Sequence, residues 1–205
     1  MIHLYGSPHN RAFRTFWMLE ELGLDYEHTL LDTQGGETRT AEFLKINPNG
    51  HVPTLVDGDD VVWESMAINL YLAKKYGGEL APNSISEEAA SYQWSFWAMT
   101  EVEPNLLSYG MNTQFLPENE RDPKLAAAGG EALEKAMHAL DGELEGKAWI
   151  AGTQFSVTDL NVAAVLSWTK LMGYDISDHK NVEAWLAECL KRPAAQRVQA
   201  MSNPA

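Results

Sequence analysis

The chain has 205 residues, 45% hydrophobic and 21% charged, an ordinary globular composition with length for one full core or two small domains. A formal charge of -14 argues against nucleic acid or an anionic membrane surface as a partner, although a helix end or a local cation can still receive a small anion. The single cysteine, Cys189, excludes an internal disulfide and a cysteine-rich metal site.

The opening M-I-H-L-Y-G-S-P has no basic segment followed by an apolar run, so no signal peptide is expected. No stretch approaches the roughly 18 charge-free apolar residues of a membrane span, and a cytoplasmic setting is the expectation. His3, His9, His28, His51, His138 and His179 are scattered, without an H-E-x-x-H spacing, so no metal site is expected. Neither a glycine-rich dinucleotide fingerprint nor G-x-S-x-G is present.

In chain order, residues 2–5 read as a short apolar strand, followed by the loop Gly6-Ser7-Pro8-His9-Asn10. Residues 11–22 place Phe13, Phe16, Trp17 and Leu19 at helical spacing, and Gly23 is a natural stop. Residues 25–31 alternate as a strand, which completes a βαβ unit. A polar loop at 33–40 and a short helix at 41–46 lead to N-P-N-G-H-V-P-T-L-V-D-G-D-D-V-V-W-E-S, residues 47–65. That stretch reads as a loop, a strand beginning at Val52-Pro53, a turn at 57–60, a second strand at 61–63 and a helix opening at Ser65, which runs to Tyr76. Residues 1–78 thus form a β-α-β-α-β-β-α domain, and residues 79–86 have the composition of a linker.

Residues 87–205 carry no convincing strand and are expected to be an all-helical domain, giving an α+β fold class overall. A long helical stretch at 87–115 has a bend expected at Pro104. Another at 122–145 carries an apolar stripe of Leu125, Ala132, Leu133, Ala136, Leu140 and Leu144. In F-S-V-T-D-L, residues 155–160, Ser156 and Asp159 have capping-box spacing, with Phe155 and Leu160 as the staple, before a central helix at 160–171. Helices at 182–190 and 194–201 are expected to finish the bundle.

Several features invite chemistry. A proline opening a strand has no amide for the ladder. If the Val52–Pro53 bond is cis, the edge of Val52 is left unpaired beside the helix opening at Ser65, a slot suited to a peptide-like anionic ligand. Ser7, between the first strand and first helix, is an ordinary loop or cap serine in one reading. In the other it donates a hydrogen bond to a bound thiolate. Lowering a thiol from about 8.5 by two units needs about 2.7 kcal/mol, within reach of one charge-assisted hydrogen bond plus a helix end. Asn10 competes for the cap and is a second possible donor. Arg11, at the expected helix start, calls for a compensating carboxylate or ligand charge. Glu64 and Ser65 are either a helix start with an acidic neighbour or the two halves of an α-amino-acid site, acid for ammonium and helix amides for carboxylate. The aromatic run at 92–99 is bundle core, with a surplus suited to a cleft or subunit contact.

With L-Y-G-S-P-H-N-R-A-F-R-T-F-W-M-L-E-E-L-G-L-D-Y-E, N-P-N-G-H-V-P-T-L, W-E-S-M-A-I-N-L-Y-L and F-S-V-T-D-L in register, the whole chain resembles a bacterial cytosolic glutathione S-transferase of the serine type, theta-, zeta- or delta-like around Ser7. The resemblance implies a thioredoxin-like domain holding glutathione and a helical domain holding a small hydrophobic electrophile. It implies that Val52 pairs with the cysteinyl unit before cis-Pro53, that Glu64 and Ser65 hold the γ-glutamyl head, and that His51, with Lys45 or Gln34, approaches the glycyl carboxylate. Ser7 and Asn10 would stabilise the thiolate, and Trp94, Tyr109 and Phe115 would line the electrophile site. A homodimer is implied, with Glu101 or Glu103 as acids reaching a partner's cleft. The runner-up activities are a glutathione-dependent isomerase or peroxidase, and a non-catalytic glutathione-binding or scaffold protein.

Overall fold

In the computed structural model of the protein, which describes residues 1–202, β1 (Ile2–Tyr5) alternates buried Ile2 and Leu4 with half-buried His3 and Tyr5. It is an inner strand of a four-stranded sheet, with β2 (Tyr26–Thr29), β3 (Thr54–Asp57) and β4 (Asp60–Trp63) in the order β2-β1-β3-β4. β2 runs parallel to β1, while β3 and β4 are antiparallel to their neighbours. The register sets Tyr5 beside Thr29 and Thr54, and Thr54 beside Trp63. The residues that follow β1, precede β3 and follow β4 therefore lie at one end of the sheet.

α1 (Phe13–Leu22) is buried without a break from Phe13 to Leu19, the pattern of a helix covered on all sides. It packs against α3 (Ser65–Tyr76) and against α9 (Pro193–Ser202). Gly23 ends α1 in the left-handed region at φ 61, and the Leu24 N–H returns to the Leu19 carbonyl at 3.2 Å. α2 (Ala41–Ile46) is capped by Thr40, whose hydroxyl accepts from the Phe43 N–H. The sheet with its flanking helices is the thioredoxin-like arrangement expected of the N-terminal part.

Met1–Ala81 and the segment from Arg192 form one unit, and Pro82–Lys191 form a second. The last helix thus departs from expectation, since α9 belongs with α1 rather than finishing the bundle. Its small buried face of Ala194, Ala195 and Val198 permits a close approach, and Arg192 and Arg197 meet Glu21 and Glu20.

The second unit is helical throughout its regular structure among the described residues. α4 (Ile85–Trp97) passes through a π-helical turn at Ala98–Val102 into α5 (Glu103–Gly110), with Pro104 in the first turn of α5. Pro104 has no N–H for the previous turn, and the wider turn before it accommodates the ring, so the expected bend is a π turn. A second π turn spans Met111–Phe115. On α6 (Pro123–Glu143) the buried stripe is Gly129, Leu133, Ala136, Met137 and Leu140, and Leu125 is exposed, contrary to the expected stripe. Gly129 lets α5 in close, since a Cβ there would stand 2.9 Å from the Asn105 carbonyl oxygen.

α7 (Val157–Leu166) is buried at all its positions and opens with the expected capping box. It stops short of the expected residue 171. The hydroxyls of Ser167 and Thr169 take the Ala164 and Leu166 carbonyls at 2.8 Å, competing with continued helix. Asp159 is buried and accepts from the Ile150 N–H at 2.9 Å, the Trp185 indole at 3.0 Å, and the Ser156 N–H and hydroxyl. Burial pushes its carboxyl above the usual range, and these donors partly offset the rise. Asp141 on α6 receives the Asn181 and Val182 N–H groups, capping α8 (Lys180–Leu190) from a distance.

Candidate functional site

At the sheet end defined by Tyr5, Thr54 and Trp63 the chain makes three loops, and they carry most of the expected site residues. The first holds Ser7 and Asn10. The Ser7 hydroxyl oxygen accepts from the His9 N–H at 3.2 Å, and the Ser7 carbonyl accepts from the Asn10 N–H at 3.1 Å. Asn10 Oδ1 accepts from the Ala12 N–H at 2.9 Å, so Asn10 caps the turn that leads into α1. Among the described residues the Ser7 hydroxyl proton and the Asn10 Nδ2 protons are given to no protein acceptor. Two potential donors therefore stand near the start of α1. α1 begins at Phe13 rather than at Arg11, so exposed Arg11 precedes the helix and does not oppose its dipole from inside the first turn.

The second loop contains Val52–Pro53, whose peptide bond is cis. Asn47, fully buried, holds this loop, because its Nδ2 donates to the His51 carbonyl and to the Thr54 hydroxyl, both at 2.9 Å. The Thr54 hydroxyl donates in turn to the His51 carbonyl at 3.0 Å. Among the described residues no hydrogen bond reaches the Val52 N–H or carbonyl. Gly6 seats the two loops against each other. A Cβ on Gly6 would lie 3.4 Å from Val52 Cβ, 3.7 Å from Asn10 Oδ1 and 2.5 Å from Ala12 Cβ.

The third loop is the β4–α3 junction. Glu64 is exposed and has φ 71, and among the described residues no other non-glycine residue has positive φ. The helix begins at Ser65, so Glu64 rather than Ser65 stands at the cap position, and no side-chain cap bond is made there. The first amides of α3 are thus left open to an anion. Ser65 is buried, and its hydroxyl accepts from Nη1 of fully buried Arg14 at 3.3 Å. That bond ties α1 to the start of α3.

His51, Lys45 and Gln34 are exposed. His51 belongs to the Asn47 loop through its carbonyl, Gln34 to a turn around Asp32, and Lys45 to the last turn of α2. No hydrogen bond among the described residues ties Gln34 or Lys45 to Ser7 or Val52. Arg14, Asn47 and Thr54 were not singled out by sequence reasoning. The Asn-Pro-Asn-Gly run has the composition of an Asx turn, a local signal that could have marked Asn47, whereas nothing local marks Arg14 as a buried partner of Ser65.

Within the helical unit, Trp94 is buried and meets Trp97 edge-on at 4.9 Å. Tyr109 is half-buried and T-shaped against Tyr174 at 5.4 Å, and Phe115 is exposed in the second π turn. Arg121 holds that turn by donating to the Leu116 and Gln114 carbonyls at 2.8 Å. Glu101 is exposed, but Glu103 is buried. Among the described residues no group of His, Cys, Asp and Glu side chains is arranged to hold a metal ion, and no helix is long and apolar enough to cross a membrane.

A mixed sheet ending in a cis-proline loop, beside a serine loop and an open helix start, defines a thioredoxin-like protein with a helical second unit. Profiles for the glutathione S-transferase N-terminal domain and C-terminal domain match residues 1–74 and 98–193. Glutathione S-transferase D7 of Drosophila melanogaster is 34% identical over 93% of this chain and 84% of its own length. Glutathione S-transferase GstB of Escherichia coli K12 is 32% identical over 97% of both. A solved theta-class glutathione S-transferase from Xanthomonas axonopodis pv. citri, with glutathione bound, is 29% identical with a TM-score of 0.87, covering 96% of this chain and 95% of the other. A Pseudomonas putida glutathione transferase carrying glutathione disulfide is 25% identical with a TM-score of 0.85, covering 100% and 92%. The chain belongs to the glutathione S-transferase family.

Proposed function

We propose that the protein binds glutathione and conjugates it through its thiolate to small hydrophobic electrophiles, as a serine-type glutathione transferase. The observation that carries this is Val52, a backbone edge with no protein partner among the described residues, seated on Gly6 beside the Ser7 loop. An extended tripeptide needs such an edge for its cysteinyl unit. Glu64 takes the γ-glutamyl ammonium, while the open amides of α3 and the Ser65 hydroxyl take the adjoining carboxylate. His51, with Lys45 or Gln34, approaches the glycyl carboxylate.

With the tripeptide in this pose the Ser7 hydroxyl donates to the sulfur, and Asn10 Nδ2 is the second donor. The thiol proton leaves to solvent, the thiolate attacks the electrophilic carbon, an S–C bond forms, and the displaced group departs with its electron pair. Catalysis is thiolate stabilisation plus proximity. Phe115, Tyr109 and Trp94 supply the apolar surroundings of the electrophile, Phe115 as an exposed ring and Trp94 as a buried one. A second copy of the chain is the proposed partner. Ile85, Tyr92 and Phe96 fall on one face of α4, with Ile85 86% and Phe96 69% exposed.

Ser7→Ala tests the assignment. Calorimetry measures glutathione affinity, and ultraviolet difference absorbance titrates the bound thiol. The expected result is near-normal affinity, a bound thiol shifted upward by one to two units, and conjugation slowed by about tenfold to hundredfold. Identical titration curves remove Ser7 from the mechanism. A bound thiol that titrates like free glutathione in the parent protein would instead support a non-catalytic binding role. Aryl halides, hydroperoxides, isothiocyanates and maleyl compounds are the panel that separates transferase, peroxidase and isomerase.

A further inference from the structure

We infer that Ser202 is a positioning residue for the Ser7 loop: from the end of α9 its hydroxyl holds the Pro8 carbonyl and so sets where Ser7 stands. The catalytic part of the inference rests on the glutathione-transfer function proposed above.

The loop is shaped from within but placed from outside. Its internal bonds, His9 N–H to Ser7 Oγ, Asn10 N–H to the Ser7 carbonyl and Ala12 N–H to Asn10 Oδ1, all span two or three residues. Such bonds define the curl of the loop and leave its position free. Hydrogen bonds from distant chain reach it at Gly6 and at Pro8. The Gly6 N–H donates to the Thr29 carbonyl at 3.0 Å, which anchors the loop's start to the end of β2. The Ser202 hydroxyl donates to the Pro8 carbonyl at 2.9 Å, across 194 residues of sequence. Pro8 has no N–H, so its carbonyl is its only polar backbone group.

A serine hydroxyl has one proton. The alternative acceptor, the Val198 carbonyl of its own helix, lies at 3.3 Å, so the geometry favours Pro8. α9 does not depend on Ser202 for its place. Arg192 grips Glu21 at 2.7 and 2.8 Å, and Arg197 takes Glu20 Oε2 at 2.7 Å and the Glu20 carbonyl at 3.2 Å. Glu21 is itself held by the Trp17 indole and Glu20 by the Tyr26 hydroxyl. The last helix is therefore a fixed strut, and through Ser202 it bonds to the loop that carries the proposed thiolate donor.

The test is Ser202→Ala, with Ser202→Thr as the variant that keeps a hydroxyl. In the full-length protein without ligand, hydrogen–deuterium exchange of residues 6–12 should rise about threefold to tenfold in Ser202→Ala, the change expected from one lost hydrogen bond. Amides of α1 and α9 should be unchanged, and Ser202→Thr should restore protection. Unchanged loop exchange overturns the inference, as does a uniform rise across α1 and α9, which would make Ser202 a general stabiliser. With glutathione added, Ser202→Ala should raise the bound thiol's titration midpoint by a few tenths of a unit to one unit with affinity nearly kept. A looser loop with an unshifted thiol overturns the positioning role. If the parent protein binds no glutathione, the proposed function falls, while the exchange result still decides whether Ser202 straps the loop.

Discussion

Arg192 and Glu21 form a two-bond ion pair, Nε to Oε1 at 2.7 Å and Nη2 to Oε2 at 2.8 Å, joining the approach to α9 to the last turn of α1. The Glu21 side chain is only 7% exposed and also accepts from the Trp17 indole at 2.9 Å. Paired charges held this way are stronger than exposed ion pairs. Glu21→Ala removes the carboxylate that the Arg192 guanidinium and the Trp17 indole share, so denaturant unfolding should show a loss of about 2–3 kcal/mol. A loss below half a kcal/mol would mean that the Arg192–Glu21 pair adds little to what the apolar face of α9 and the Arg197–Glu20 pair already hold.

Gly6 has φ 140, and a Cβ there would meet Ala12 Cβ at 2.5 Å. Both are backbone-fixed atoms, so neither can rotate away. Gly6→Ala should cost about 2 kcal/mol of stability or more and weaken glutathione binding, because the displaced loop abuts Val52. Calorimetry with glutathione and a thermal melt read the two effects separately.

Asp57 accepts from Tyr76 and Tyr71 and pairs with Lys75 at 2.8 Å, tying the end of β3 to α3. Burial alone would push its carboxyl up, but the bonds from Lys75, Tyr76 and Tyr71 outweigh this and hold it below the usual range. The same cluster, burial first, pushes the Tyr71 hydroxyl up to about 12. A carboxyl lowered on folding stabilises the protein above its unfolded value, near 4, and the contribution disappears as pH falls through the lower folded value. Asp57→Asn should therefore cost about 1–3 kcal/mol at neutral pH, with the difference from the parent shrinking below about pH 4. Denaturation of both proteins across pH would show it, and a constant gap would refute it.

Asp159→Ala removes one acceptor from four donors in the buried core of the helical unit. The stranded Ile150 N–H and Trp185 indole, with the lost cap of α7, predict about 3 kcal/mol of destabilisation or more. Denaturant unfolding followed by tryptophan fluorescence is the measurement.

Phe96→Glu places a charge in the exposed stripe of α4. Sedimentation should show a shift from dimer to monomer. A parent protein that is monomeric throughout would remove the assembly proposed for that face.

The elements most legible in the sequence were those whose signal is local. The 3.6-residue spacing of Phe13, Phe16 and Trp17, the glycine stop at Gly23, the capping box at Ser156 and Asp159 and the two-residue turn after Asp57 each depend on neighbours within a few positions. Helix ends were less legible where hydroxyls intervene. α7 stops at Leu166 because Ser167 and Thr169 bond back to carbonyls, which an apolar run does not reveal. The exposure of Leu125, at the start of α6, likewise depends on which part of the stripe finds a partner.

By itself the sequence determined the strands and helices of a thioredoxin-like part followed by a helical part, and the motifs around Ser7, Val52 and Ser65. Those motifs act through bonds and angles spanning a few residues. Tertiary structure alone decided that α9 returns to α1, that Arg14 reaches Ser65 and that Ser202 meets Pro8. Partners that far apart in the chain are chosen by packing of whole elements, and no local spacing encodes which polar side chain the packing brings into reach.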